Sequence, residues 1–336
     1  KKIKLEEAFI KVLSSSNHAN KSWITDQFDQ MVMCDTVQRS GSDAAIIRIH
    51  NKDKAIAVCV DSSANYCKSH PLTGGKQIVS ENWRNLIAVG AKPLAITNCL
   101  NFGNPENKEV MGEFAECIQG IKEACEFLNY PVVSGNVSFY NGTNNKNIYP
   151  TPVIGGVGLI DKLSGVISHN FKKDKSNILV IGKTFGHLQQ SCFLRENYSI
   201  TNGRPPEVNL LNEKNNGETV SKLIAKSLVL SAHDVSNGGI ITALFEMTKE
   251  TDLGVKIEKP SSLRNLNEYF FGEDQGRYLL EIEEKNLKTV EKILKSNNIF
   301  FENIGNTQNK YFEINGEVKI DVNELFTINN EWYNSY

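Results

Sequence analysis

The sequence predicts an α+β (mixed α/β) fold in two domains, and three observations predict it. Apolar runs of strand length and longer segments with helical spacing are mixed through both halves of the chain. Residues 161–176 are polar and lack periodicity, which puts a domain boundary near 170. A chain of 336 residues, 40% hydrophobic and 23% charged, has ordinary globular composition and a length that suits about two domains. The expected division is a helical leader at 1–40, an N-terminal domain at 41–165 and a C-terminal domain at 172–325.

Residues 4–29 read as an amphipathic helical leader packed on the first domain. Leu5, Phe9 and Leu13 lie on one side, with Trp23, Ile24 and Phe28 further on. Ala44–Ile49 and Ala55–Val60 are short apolar strands parted by the turn-like Asn51-Lys-Asp-Lys54. Gly74-Gly75 opens a helix over 76–89, and Gly90 caps its C-terminus. Leu94, Ala95 and Ile96 form a buried strand that runs into a polar loop bearing Thr97, Asn98, Asn101, Gly103 and Asn104. Helix 109–128 repeats Met111, Phe114, Ile118, Ile121 and Phe127 at helical spacing. Pro131-Val-Val133 is a strand, Ser134-Gly-Asn-Val-Ser138 a loop and Pro152–Ile160 a strand. In the second part, strands are expected at 177–181, 228–231, 254–257, 278–283 and 311–317, and helices near 217–227, 238–250 and 285–297. Asn202-Gly-Arg-Pro-Pro206 is a loop, because two prolines fit neither a helix interior nor a central strand.

Charge and cysteine usage narrow the function. A net charge of −2 lacks the basic surplus of a nucleic-acid footprint. No apolar run reaches the ~18 residues that span a bilayer. The start, Lys1-Lys-Ile-Lys-Leu-Glu-Glu7, has neither a signal-peptide pattern nor an initiator Met, so a piece of a longer protein is expected. Seven cysteines, an odd number without a CxxC pair, argue against a disulfide framework or a zinc site. The expected compartment is a reducing cytoplasm.

Five polar constellations sit beside predicted strands or on the helix after Gly75. Asn98 and its loop neighbours offer amide oxygens, N–H donors and a close backbone approach, which suits phosphate or a Mg²⁺-nucleotide, or an ordinary turn. Ser231-Ala-His-Asp-Val-Ser-Asn-Gly-Gly239 leads into a helix N-terminus, where His233, Asp234 and Ser236 cluster beside free N–H groups. There Ser236 or Asn237 is equally an N-cap. Glu81 and Asn85, at i,i+4 spacing, share one helix face and form either a Mg²⁺ pair or a surface pair. Ser134–Ser138 and Phe271-Gly-Glu-Asp-Gln-Gly-Arg277 are ligand loops or tight turns, with Arg277 supporting structure.

Together these runs resemble the large-subunit family of phosphoribosylformylglycinamidine synthase, in its second half. The likeness spans Phe28-Asp-Gln-Met-Val32, Gly74–Asn85, Gly90–Glu106, Pro131–Tyr140, Tyr149-Pro-Thr-Pro-Val-Ile-Gly155, His233–Gly239 and Phe271–Arg277. It implies an aminoimidazole-ribonucleotide-synthetase-like N-terminal domain, pairing across its sheet with a homologous partner, and an α+β C-terminal domain. The reaction it implies is the ATP- and glutamine-dependent conversion of formylglycinamide ribonucleotide to the amidine in purine biosynthesis. ATP activates the formamide oxygen as an iminophosphate, and ammonia from a glutaminase displaces phosphate. The implied cofactors are Mg²⁺ and ATP/ADP. The implied partners are the homologous first half, a glutaminase subunit or domain and a small accessory one, with a homodimer as the form of the isolated chain.

The family's catalytic motif, Ser-His-Asn-His-Pro, falls on Ser62-Ser-Ala-Asn-Tyr66, with Ser63 and Asn65 at the histidine positions and His70 at another offset. This half thus lacks the catalytic base and is expected to be inactive alone. By motif position the resemblance makes Asn98 and Gly135 ATP contacts, Asn136 a Mg²⁺ ligand and Ser138 a substrate contact. Many relatives have aspartate at Asn98, so a charge is lost there. A second, non-catalytic nucleotide site maps its Mg²⁺ ligands onto Asp29, Glu81, Asn85 and Asp234 and a nucleotide contact onto Ser236. The alternatives are a non-catalytic nucleotide-binding scaffold and a stand-alone aminoimidazole-ribonucleotide-synthetase-like enzyme.

Overall fold

Alternating apolar positions and helical stripes assemble two sheets in the computed structural model, which describes residues 3–258 and 265–335. The chain opens with α1 (Leu5–Leu13) and the single turn α2 (Ser22–Thr25). It continues through β1 (Thr36–Gln38), β2 (Ala45–Arg48), β3 (Ala55–Asp61), α3 (Ala64–Ser69), α4 (Pro71–Ala88), β4 (Lys92–Asn101) and α5 (Lys108–Leu128). Then come β5 (Val132–Ser138), the small ribbon β6 (Gly142–Thr143) and β7 (Lys146–Asn147), and β8 (Thr151–Ile160). These strands form a six-stranded sheet of order β1-β2-β3-β8-β4-β5, with the ribbon apart. The helices α4 and α5 cover one face, through Ile78, Leu86, Cys117 and Ile121.

The second unit follows with β9 (Asn177–Ile181), α6 (Cys192–Tyr198), α7 (Leu210–Ala225), β10 (Ser231–Asp234), α8 (Gly239–Met247) and β11 (Leu253–Ile257). It ends with α9 (Leu266–Phe271), β12 (Tyr278–Ile282), α10 (Glu284–Ser296), β13 (Phe301–Asn309), β14 (Tyr311–Ile314), β15 (Val318–Asp321) and α11 (Val322–Ser335). Its seven strands run β10-β12-β9-β13-β11-β14-β15. The mixed α/β class expected from the sequence is the class observed.

Four details differ from the sequence reading. The leader packs on the second domain, not the first: Phe9 stacks on Phe312 at 5.0 Å and meets Phe245 edge-on. The stripe Leu5, Phe9, Val12 and Leu13 is buried in that domain's apolar cluster. The leader is also broken, with residues 14–21 outside any helix. Helix α4 starts at Pro71 rather than after Gly75, since proline's fixed φ suits the first helical turn. Gly74 and Gly75 lie inside it, where a Cβ would sit 2.6 Å from the Cys67 backbone and 2.4 Å from the Cys117 carbonyl oxygen. Finally, the polar runs Thr97–Asn101 and Ser134–Ser138 are strand, paired in parallel as Asn98 with Gly135 and Asn101 with Ser138.

Candidate functional site

Strand β3 alternates, burying Ala55, Ala57 and Cys59 against the helices, so Asp61 at its end falls on the same face. There α4 supplies two amides: Asn85 Nδ2 donates to Asp61 Oδ1 at 2.9 Å and Asn82 Nδ2 to Oδ2 at 2.7 Å. One turn away, the Glu81 carboxylate accepts from Gln77 Nε2 and from Ser236. The helix thus brings Glu81 and Asn85 to one place, as their spacing predicted.

The second domain closes the cluster. Strand β10 delivers Asp234, whose Oδ2 is buried without a hydrogen bond and lies 3.6 Å from Arg84 Nε. Arg84, fully buried on α4, donates to Glu213 Oε1 at 2.7 Å and to Gln275 Oε1 at 3.2 Å. Burial pushes three acids up: Asp61 to about 6, Asp234 to about 7 and Glu81 to about 8. Neighbouring carboxylates add to the rise in each. Several carboxylates thus crowd around one guanidinium, and an orphaned oxygen remains. The set offers hard oxygen donors, the kind Mg²⁺ takes, but Asp61, Glu81 and Asp234 do not bring three ligand atoms within 4.8 Å of one another, a geometry met among the described residues by Asp43, His233 and Asp234.

Ser236 connects the cluster to a cavity of 880 Å³ between the domains and the leader. Its walls include His18, Lys21, Ser63, Asn65 and Arg195. Ser63 and Asn65, the residues at the motif's histidine positions in the sequence reading, thus line this cavity. The N-terminus of α8 is not open to an anion as the sequence suggested. Glu273 already occupies it, since its Oε1 accepts from Gly238 N and from Cys192 N, both at 2.8 Å. The same carboxylate accepts from Tyr66 at 2.6 Å, fixing the first turn of α3 to the second domain. Asp274 accepts from Phe185 N and Gly186 N, and Arg277 donates to the carbonyls of Gly272 and Asp274, so residues 271–277 form a braced turn.

The remaining candidates lie elsewhere. Asp29 is exposed and its Oδ1 accepts from Met31 N at 2.8 Å, within its own loop. Its neighbours Asp26 and Gln30 line the large cavity, but Asp29 does not. Asn98 and Gly135 share the helix-covered face of the first sheet. A Cβ at Gly135 would lie 2.0 Å from Asn98 Oδ1, so this close pairing requires glycine. Asn98 borders a 420 Å³ recess against Ile118, Ile121 and Tyr130. The pleat turns Asn136 and Ser138 to the opposite, open face. Because β5 is an edge strand, a ligand reaching all four must wrap around that edge. Asp61, Arg84 and Glu213 were missed in the sequence. For Asp61 the alternation of β3 carried the signal, since its parity is that of Ala57 and Cys59.

Comparison with known proteins gives this geometry a context. Residues 41–160 match the family model "AIR synthase related protein, N-terminal domain", and residues 177–314 match its C-terminal counterpart. The chain is 52% identical over 336 residues to the phosphoribosylformylglycinamidine synthase subunit PurL of Pelagibacter ubique, covering 100% of this chain and 46% of that protein. It is similar in fold to T. maritima PurL complexed with FGAR, with a TM-score of 0.77 at 15% identity over 95% of this chain and 53% of that one. A likeness to T. maritima PurL complexed with AMPPCP has a TM-score of 0.61 at 26% identity, over 86% of this chain and 42% of that one. The chain thus spans about half the length of the relatives it matches.

Proposed function

The chain belongs to the AIR synthase related family, with that family's N-terminal domain followed by its C-terminal domain and with PurL proteins as its relatives, and on that premise we propose that it is the second, non-catalytic half of a phosphoribosylformylglycinamidine synthase. The parent enzyme converts formylglycinamide ribonucleotide to the amidine with ATP and with ammonia from a glutaminase partner. This half binds a Mg²⁺-nucleotide and completes the active site of its homologous partner. The leader at 1–40 and the domains at 41–165 and 172–325 are its functional units.

The observation that carries the reading is the buried acid cluster opening through Ser236 on a cavity of 880 Å³. That volume lies within the range of small-molecule sites, about 300–1,000 Å³. Glu81, Asn85 and Asp234 hold the cation, joined by Asp61, and Ser236 donates to a phosphate oxygen. Asp29 enters this set only if its loop turns toward the cavity. Bound Mg²⁺ supplies charge neutralisation to the phosphates. At the sheet edge, Asn98 and Gly135 contact the ATP of the shared site, Asn136 its Mg²⁺ and Ser138 the substrate. Ser63 and Asn65 supply no base, which also favours the narrower reading of a nucleotide-binding scaffold.

The test supplies the purified chain with ATP, Mg²⁺, ammonia and formylglycinamide ribonucleotide. No amidine is expected from the chain alone, and turnover is expected when the homologous half is added. Turnover by the chain alone would overturn the assignment. No gain on addition would favour the scaffold.

A further inference from the structure

Asp43 precedes β2 in the first domain, yet its carboxylate is buried in the second. Its Oδ1 accepts twice there, from His233 Nδ1 at 2.8 Å and from the backbone N–H of Asp234 at 3.1 Å. The other ring nitrogen of His233, Nε2, is 3.1 Å from Glu246 Oε2. Ser42, next to Asp43, bonds His169 Nδ1 at 2.7 Å, and the His169 ring lies 5.2 Å from that of His233. One loop of the first domain is therefore keyed into the strand that presents Asp234.

The ligand atoms of Asp43, His233 and Asp234 lie within 4.8 Å of one another. Both nitrogens of His233 are already engaged by carboxylates, so the trio is built as an ion-pair knot rather than a metal site. We infer that Asp43 is a positioning residue that sets Asp234 for the Mg²⁺-nucleotide and ties that setting to the docking of the two domains. The inference rests on the nucleotide reading above. Physically, one acceptor oxygen fixes the peptide N–H of Asp234 while its partner His233 anchors the same strand. The rotation of β10 relative to α4 is thereby restrained, and with it the approach of the Asp234 carboxylate to Glu81 and Asn85.

The experiment compares Asp43→Ala and Asp43→Asn with the parent chain. Calorimetry measures ADP binding with and without Mg²⁺, and hydrogen exchange follows the peptide containing Asp234. Asparagine keeps an acceptor oxygen at the same reach, and alanine removes it. Expected are a loss of about tenfold or more in Mg²⁺-ADP affinity for Asp43→Ala, the scale seen when a group supporting a metal ligand is removed, and faster exchange at Asp234. ADP affinity without Mg²⁺ should be unchanged, and Asp43→Asn should restore most of both losses. Asp43→Ser replaces the alanine variant if that one does not fold. Equal affinity and exchange in parent and Asp43→Ala overturn the inference, as does equal weakening by Asn and Ala, which would make the effect one of charge. A loss that is the same with and without Mg²⁺ overturns it as a general structural effect. A parent chain that gives no Mg²⁺-ADP binding overturns the nucleotide reading itself, and the inference with it.

Discussion

Arg84 is the residue on which the two domains balance. It is fully buried on a first-domain helix, and its partners Glu213, Asp234 and Gln275 all belong to the second domain. Removing one member of a buried ion pair leaves the other charge uncompensated, at a cost of about 3–5 kcal/mol. Arg84→Met is therefore expected to destabilise the chain by that amount in urea unfolding, and a change under about 1 kcal/mol would show that Glu213 is neutral or hydrated when folded. At this scale the sequence was partly legible. Glu81, Asn85, Asp234 and Ser236 could be read because their spacing or their turn gave them a shared position. Arg84 and Glu213 could not, because a charge 129 residues from its partner has no local signature.

The leader helix shows how an element can be read correctly and docked wrongly. Its stripe of Leu5, Phe9, Val12 and Leu13 announces an amphipathic helix, but a stripe does not name its partner. The partner is the aromatic pair Phe245 and Phe312, more than 230 residues away in the chain. Phe9→Ala should cost about 3–5 kcal/mol, as for other buried aromatics. Because α1 packs against the second domain, the loss should appear in hydrogen exchange of α8 and β14 and spare α4 and β4. Uniform loss of protection across both domains would mean that the leader supports the whole chain. The strand ends Thr97–Asn101 and Ser134–Ser138 failed in the sequence for a related reason. Polar side chains in a strand look like a loop until its sheet is known, and here Asn101, Asn136 and Ser138 lie on the open face while Asn98 lies on the helix-covered one.

Across the whole molecule, the first sheet leaves one face without cover. Ile47, Ile56, Val60 and Val157 lie exposed on it, with Val60 67% accessible. Apolar patches of this kind mark association surfaces, so the isolated chain should self-associate, and a strictly monomeric mass in sedimentation at high concentration would contradict this. The acid cluster gives a second global property. Asp61, Asp234 and Glu81 hold protons more tightly folded than unfolded, since their values rise from 3.8, 3.8 and 4.5 to about 6, 7 and 8. Between those limits the folded state binds more protons, so their contribution to stability is complete below the unfolded range and is lost as pH rises to about 8. Mg²⁺ favours the ionised acids. The melting temperature should fall from pH 5 to pH 8 more steeply in chelator than in Mg²⁺, and identical slopes would deny the cation its place. The fold class was legible throughout, because periodicity survives in a single sequence. The site was legible only where its residues lie close in sequence. The most direct test of the nucleotide site is calorimetry of Mg²⁺-ADP with the parent chain, Asp234→Ala and Asp161→Ala, the last an exposed acid paired with Lys54 at 3.3 Å. Saturable binding by the parent and by Asp161→Ala, with a loss of about tenfold or more in Asp234→Ala, is the predicted result. Equal affinities in all three, or no thermal stabilisation of the parent by nucleotide, would contradict it.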